Sequence, residues 1–589
     1  MSLPHCRGTD EIRWAGRGHM GVTKAMATGE RLVLARLAAQ RAGRAATARV
    51  LRSTGLKNWL APSVADELLI VPQDLRTPDP SFLVEIAAHQ FGLAGAVANL
   101  GGLSPFAVPP PTVAWARDLH GFSWLRHLRV AANDEDAQEA AQAFVLSWLD
   151  LGKSTGMAFE PRVVARRVIS WISHADLLLE GSSARAYALT ADSLGSQIQL
   201  LAAMRHTAPP GPSRLLCLTA LVFAGLCVAG HDRRHGRTEK AFMAELDHQV
   251  LPDGGHASRN PAVVVDLLLD LLPLRQCYVA RHIPPPAALL AAIDRMIAFL
   301  KYVRRGDGAL ARFNGTGRTE ADALATVIGY AEPDETELEA ALESGYRRLQ
   351  RKKSIVLMDA GPPPPLAFSG QAHAGCLSFE MSYGSQPVLI NAGAPAPTQD
   401  TLRAMARATV SHNTLCLSTT SSSRLVPLDG TQPQTALQLP AEVLSTLVDR
   451  NGTLILEAWH DGYLDQFGLL HARCLVLSQD GERLDGVDRL EPPSGVLRTR
   501  HDLPFSIHFH TPPETVCRLG QAPETAEIQI EPLSCWRLTA AGARLSIEES
   551  TDLVHLSGPR RSMQIVLRGA CPGETTVTWS LEHIRLGGA

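Results

Sequence analysis

The hydrophobic period of this chain changes at one proline-rich point, and that change limits what it can fold into. From about residue 30 to residue 350, apolar residues recur at helical spacing, in segments separated by Pro, Gly or acidic starts. The run DEDAQEAAQAFVLSWLD has acids in its first turn and an apolar stripe through Phe144, Trp148 and Leu149. Pro161 follows Glu160 where a first helical residue tolerates proline, and Val164, Val168, Trp171 and Ile172 form the next stripe. The spacing predicts further helices near 185–204, 214–230, 238–250, 262–280, 287–304, 319–331 and 335–350. Serial helices of similar length with short connections imply an α/α array, either solenoid or toroid.

The run Gly361–Leu366 (GPPPPL) cannot continue a helix, and past it the period falls to two. CLSFEMSY, PVLIN, NTLCLS, TLILEAW, ARCLVLS, FSIHFH, AEIQIE, ARLSIEE, MQIVLR and TTVTWSL read as short strands. Turn pairs Asp429-Gly430 and Asp480-Gly481 separate some of them, as in an antiparallel sandwich. A multidomain α and β protein is therefore expected: an N-terminal extension over 1–30 without order, a helical domain over 31–354 and a β domain over 355–589.

At 589 residues the chain exceeds a single core, and 45% hydrophobic with 20% charged residues describes a globular protein. A net charge of -3 gives no reason to expect a nucleic-acid partner, while a local cluster of Arg and His could still bind carboxylates. The ten cysteines are scattered without a CxxC pair and read as reduced core residues. The longest uncharged run, Leu215 to Gly230, falls short of the roughly 20 residues that span a bilayer, so a buried helix is expected and no transmembrane segment. The start MSLPHCRGTDEIRW lacks the three regions of a secretory leader, which leaves a cytoplasmic location open.

Chemistry-bearing residues concentrate at the first strands of the β half. His373 precedes one strand, Asn391 ends the next and His412 precedes another, so the two histidines could share a sheet edge. Each alone reads more readily as a surface or structural histidine. His508 and His510 have the spacing of ligands on one strand face, and a solvated face explains them as well. ARFNGTGRTE contains only GTG, far from a phosphate-binding fingerprint.

AHAGCLSFE, VLINAG and RAMARATVSHNTL together resemble the start of the β-sandwich domain of heparinase II/III-type polysaccharide lyases. WHDGYLDQFGLLHARCLVLSQDGERLDGVDRL looks like the family's continuation, with His460, Tyr463, His471 and Arg473 at characteristic positions. HGFSWLRHL, FEPRVVARRVISWISH, QVLPDGGHASRNP and ALARFNGTG look like segments of its helical toroid, so the likeness runs from about residue 70 to 580. The resemblance implies an N-terminal (α/α) incomplete toroid followed by a large antiparallel β-sandwich. It also implies β-elimination on a uronic-acid-containing, acidic polysaccharide, in the cell envelope or periplasm. Such chemistry needs a base for the C5 proton and a cation or donor to neutralise the adjacent carboxylate. By resemblance His373 and His412 are catalytic candidates, Arg407, Asn413, His460 and Tyr463 substrate-binding candidates, and His412 with Asn391 the remnant of a structural zinc site. Asn391 stands where the family places an aspartate, which weakens the zinc expectation.

The helical half departs from the family pattern. Pro212 and Ser213 stand where an Asn-His pair is expected, and in DGGHASRNPAVVVD Ser258, Val263 and Val264 replace an acid, a tyrosine and a histidine. Among what remains polar, His256 can be read as a base and Arg259 as a carboxylate binder, or both as a turn and capping network. Three functions stay open at this point: a lyase; a non-catalytic glycan-binding or envelope-assembly protein on the same scaffold; and a hydrolase using carboxylates such as Glu380. The oligomeric state is not legible.

Overall fold

The computed structural model describes residues 22–51, 67–129, 135–151, 156–231, 235–331, 338–396, 399–427, 435–438, 440–493, 502–530, 534–555 and 557–584. The expected extension over 1–30 lies mostly outside these residues, and helix Val22–Leu51 already covers its last part. The Asp429-Gly430 turn also lies outside them.

Helices Val113–Gly121, Pro161–Ser173, Pro212–Cys227 and Pro261–Ala280 pack in succession as an inner layer. Helices Glu135–Leu151, Ala184–Met204, His235–Gln249 and Ala287–Tyr302 alternate with them along the chain and pack outside. Three inner helices begin on proline, where the missing N–H costs nothing and the fixed φ suits the first turn. Thr112, Ser183 and Asn260 cap their helices by accepting from Trp115, Ala186 and Ala262 amides. The uncharged run at Leu215 is buried from Leu215 to Cys227 between its neighbours, as expected. Among the described residues no helix is long and apolar enough to cross a membrane.

The β half contains three antiparallel sheets of functional consequence. An eight-stranded sheet runs in the order Val443–Arg450, Thr453–His460, Leu470–Leu477, Arg483–Glu491, Thr575–Ile584, Ser534–Ala541, Thr525–Ile530, Val516–Leu519. A four-stranded sheet, Arg544–Asp552, Arg560–Cys571, Leu503–His510, Leu415–Leu417, faces the same apolar core. Another, Tyr346–Arg351, Ser354–Asp359, Phe379–Tyr383, Gln386–Leu389, lies at the boundary and carries the candidate site. Gly481 takes φ +72° in the turn before Arg483, as the Asp-Gly pair predicts.

One predicted helix is overturned. The last residues of the expected 335–350 helix belong to strand Tyr346–Arg351, paired in register with Ser354–Asp359, from Tyr346 opposite Asp359 to Arg351 opposite Ser354. YRRLQR carries good helix formers, but the hairpin partner satisfies its backbone and Tyr346 and Leu349 become fully buried, so tertiary pairing outweighs a weak local preference. The β half thus begins by Tyr346. Tyr346 and Leu357 join the helical core rather than the sandwich core, so the two halves share packing at this sheet.

Candidate functional site

The turn before helix Pro261–Ala280 and the loop that opens the β half meet in one buried polar junction. Gly254, at φ +84°, has the Arg295 carbonyl where a Cβ would stand, which seats the turn against helix Ala287–Tyr302. Asp253 accepts from the Gly255 amide at 2.9 Å and, across the boundary, from the Ser344 amide and hydroxyl at 2.6 and 2.8 Å. His256 accepts the Ser258 amide on Nδ1 at 3.0 Å, so its proton sits on Nε2, 3.0 Å from Gln249 Oε1. Burial drives its pKa down to about 3. A neutral ring whose lone pair already accepts a backbone amide staples the turn; the base role expected for His256 finds no free nitrogen.

Arg259 is engaged in the same way. Its Nε donates to the Ser344 carbonyl, Nη1 to the Gly361 and Pro362 carbonyls at 3.0 and 2.7 Å, and Nη2 to Asp359. The expected carboxylate binder therefore holds a carboxylate of its own chain. Asn314 completes the knot by donating to Tyr346 Oη and Asp359 Oδ2, both at 2.9 Å, while Tyr346 Oη donates to the Arg259 carbonyl. Asn314, Tyr346 and Asp359 escape sequence reasoning; the Asn314-Gly315 pair, with both residues at positive φ, is the one local signal.

His373 and His412 do come together. Their ring centroids lie 5.1 Å apart at 37°, and Gly375 leaves room for the His412 ring, whose atoms stand 3.2 Å from where a Cβ on that glycine would lie. His373 Nδ1 and both ring nitrogens of His412 lack hydrogen-bond partners, although the Ala406 backbone raises the His412 affinity for a proton slightly. Burial dominates: His412 falls to about 4 and His373 well below the ordinary histidine range, with His412 and Arg407 adding to the shift. Arg407 turns its guanidinium to the Ala372 and Ser369 carbonyls at 2.8 and 3.1 Å. It therefore shapes the loop that presents His373.

Zinc does not fit this cluster. Asn391 Oδ1 accepts the Asn413 amide at 2.9 Å, and among the described residues no group of three or more His, Cys, Asp or Glu side chains could hold a metal ion. Asn413 is equally occupied, donating to the Phe379 and Ile390 carbonyls and accepting the His510 amide. His508 and His510 bond to Ser506 and Gln564, and to Ser550 and the Val410 carbonyl, respectively.

His460 and Tyr463, expected to bind substrate, lie in the sandwich core instead. Tyr463 donates to the Leu415 carbonyl at 2.8 Å. His460 Nε2 meets His471 Nδ1 at 3.1 Å, His471 Nε2 meets Asp488 at 2.8 Å, and Arg473 and Trp579 also donate to Asp488. These donors hold the Asp488 carboxyl below the usual range against desolvation, and all five side chains are buried. Alternation along strand Leu470–Leu477 turns these polar groups inward, where only each other can satisfy them.

On the helical side, Asp270 binds Arg166 through both oxygens at 2.8 and 2.7 Å and Arg76 at 2.9 Å. Asp118 and Asp266 keep exposed surface, yet desolvation is the largest influence on each and raises both. Both aspartates lie among arginines: Arg162 and Arg166 act on each, with Arg117 and Arg126 also near Asp118 and Arg76 near Asp266.

Residues 333–580 match the family described as heparinase II/III-like, C-terminal. FtsZ-localized protein C of Caulobacter vibrioides is 30% identical over 526 residues, covering 87% of this chain and 89% of that protein. Among solved structures, heparinase III superposes with a TM-score of 0.68 at 12% identity, covering 90% of this chain and 89% of that one. The heparan sulfate lyase HepC mutant from Pedobacter heparinus gives 0.58 at 16% identity over 93% and 90%. The expected toroid-plus-sandwich architecture is thereby matched along nearly the whole chain, and the chain belongs to the heparinase II/III-like family.

Proposed function

We propose that this protein acts as a non-eliminating member of its family, a scaffold in cell-envelope assembly associated with FtsZ-directed division. The observation that carries the reading is the engagement of Arg259, whose Nε, Nη1 and Nη2 all donate to acceptors in the protein interior. β-Elimination needs a donor or cation for the substrate carboxylate and a base that reaches the C5 proton. By the resemblance Val263 stands where the family carries its tyrosine, and His373 is 5% exposed and held neutral. Similarity to a protein described as FtsZ-localized supports the cellular setting.

A second reading, a lyase acting on acidic polysaccharide through His373 and His412 with Arg407 nearby, is favoured by the facing imidazoles with unbonded nitrogens. One pair of measurements separates the two. The full chain is incubated with a panel of uronic-acid polymers while the ultraviolet absorbance of the unsaturated product is followed, and it is sedimented with FtsZ filaments. The expected result is no absorbance rise and co-sedimentation above an inert control. An absorbance rise that His373→Ala abolishes would replace this reading with the lyase; absence of both signals would refute the scaffold role.

A further inference from the structure

A buried arginine without a counter-ion stands behind a cavity on the outer face of the helical half. Arg167, fully buried on helix Pro161–Ser173, stacks its guanidinium 4.2 Å from the Trp148 ring centre. Nη1 donates to the His120 and Ala158 carbonyls at 2.7 and 3.0 Å, and Nε donates to the amide oxygen of Gln197. Nη2 has no partner. No ion pair reaches this guanidinium among the described residues, and desolvation alone lowers its pKa to about 9. A charge taken out of water without an opposite charge is costly, and stacking on one ring with three neutral acceptors offsets only part of that.

Trp148 and Gln197 both line a cavity of about 660 Å³ between helices Glu135–Leu151 and Ala184–Met204. Its lining residues all fall between Leu146 and Leu200, so it is separate from the junction between the halves. Ser193 and Gln197 are hydrogen-bonded to each other at 3.1 Å, and Asp150, Asp192 and Arg185 also line the cavity. The volume falls in the range of small-ligand sites, about 300 to 1,000 Å³.

The Nε and Nη2 edge of a guanidinium is the edge that a carboxylate grips with both oxygens. Gln197 supplies one oxygen to that edge and leaves Nη2 without an acceptor. We propose that this cavity binds a small ligand bearing a single carboxylate, which displaces the Gln197 amide and pairs side-on with Arg167. The two aspartates against one arginine in the lining turn away polyanions and suit a ligand whose remainder is neutral or cationic. Sugar acids and peptide carboxylates share this chemistry. The proposal is independent of whether the family's chemistry survives elsewhere in the chain.

The test uses the full chain and follows thermal unfolding by tryptophan fluorescence with sodium glucuronate or alanylalanine, against glucose and sodium chloride at matched ionic strength. At saturation either carboxylate should raise the midpoint by about 2 to 4 °C, with no shift from the controls. A response to glucuronate alone identifies a sugar acid, to the dipeptide alone a peptide carboxylate, and to both the shared chemistry. Gln197→Glu builds the missing carboxylate into the protein: it should raise the midpoint without ligand and weaken binding at least about tenfold, roughly 1.4 kcal/mol. Gln197→Ala opens the edge and should bind at least as tightly as the natural chain. The proposal is overturned if neither carboxylate shifts the midpoint, if Gln197→Glu responds like the natural chain, or if Gln197→Ala loses the response.

Discussion

Replacing Arg259 by glycine is expected to destabilise the protein by about 3 to 5 kcal/mol and to separate the unfolding of its two halves. The side chain leaves the helical turn and donates only to acceptors in the β half: Ser344, Gly361 and Pro362 carbonyls and the Asp359 carboxylate. Its removal leaves those carbonyls without donors and Asp359, already raised by desolvation, without its cation. Glycine is the informative replacement because Arg259 sits at φ +58°, where an alanine would add strain of its own. Urea denaturation followed by far-ultraviolet circular dichroism and tryptophan fluorescence should change from near-coincident transitions to an early and a late one. Arg259→Lys, which keeps the charge but loses the fork, should recover only part of the loss. An unchanged midpoint in the glycine variant would mean that the junction is not what couples the halves.

A second large effect is expected on acidification. His120, His127, His174 and His412 are lowered to about 4 and His256 and His510 to about 3, in each case chiefly by burial. These groups are neutral in the folded protein and titrate near pH 6.5 once unfolded, so above that pH they add nothing to the pH dependence. Below it the unfolded chain binds protons that the folded chain refuses, and stability falls as pH falls toward 4. Each such histidine contributes a slope of about 1.4 kcal/mol per pH unit once its unfolded form is fully protonated. Several acting together exceed the 5 to 15 kcal/mol typical of a folded protein within about two pH units. Loss of tertiary structure between about pH 6 and 4.5 is the expected outcome, read as near-ultraviolet circular dichroism against pH. A flat profile down to pH 4.5 would show that these rings gain protons without unfolding. Asp488, held below the usual carboxylate range, contributes in the opposite region: its support persists above its unfolded pKa and disappears only under more acidic conditions.

Much of the architecture was legible in the chain itself. Helical periodicity, prolines at helix starts and the change of period marked two halves, although strands Tyr346–Arg351 and Ser354–Asp359 already precede Gly361, and the Asp480-Gly481 turn marked a hairpin. These are local signals, set by backbone geometry and by which side chains recur on one face. His373 and His412, which the sequence places just before neighbouring strands, lie with their ring centroids 5.1 Å apart. The nine described cysteines are free, in keeping with the core assignment, and Cys227 and Cys277 lie 3.7 Å apart as thiols.

The tertiary structure decided what the polar residues do. Residues 346–351 became a strand because their backbone partner lies across a hairpin and their apolar face meets the helical core. Arg259 found its carboxylate 100 positions away, and Tyr463 its acceptor 48 positions away. His471 met both His460 and Asp488 only because adjacent strands turned the same faces inward. Sequence determines which groups are available and how each segment repeats. Whether a histidine or arginine faces a ligand or another part of its own chain depends on burial and on long-range partners, because desolvation and hydrogen bonding set both its charge and its freedom.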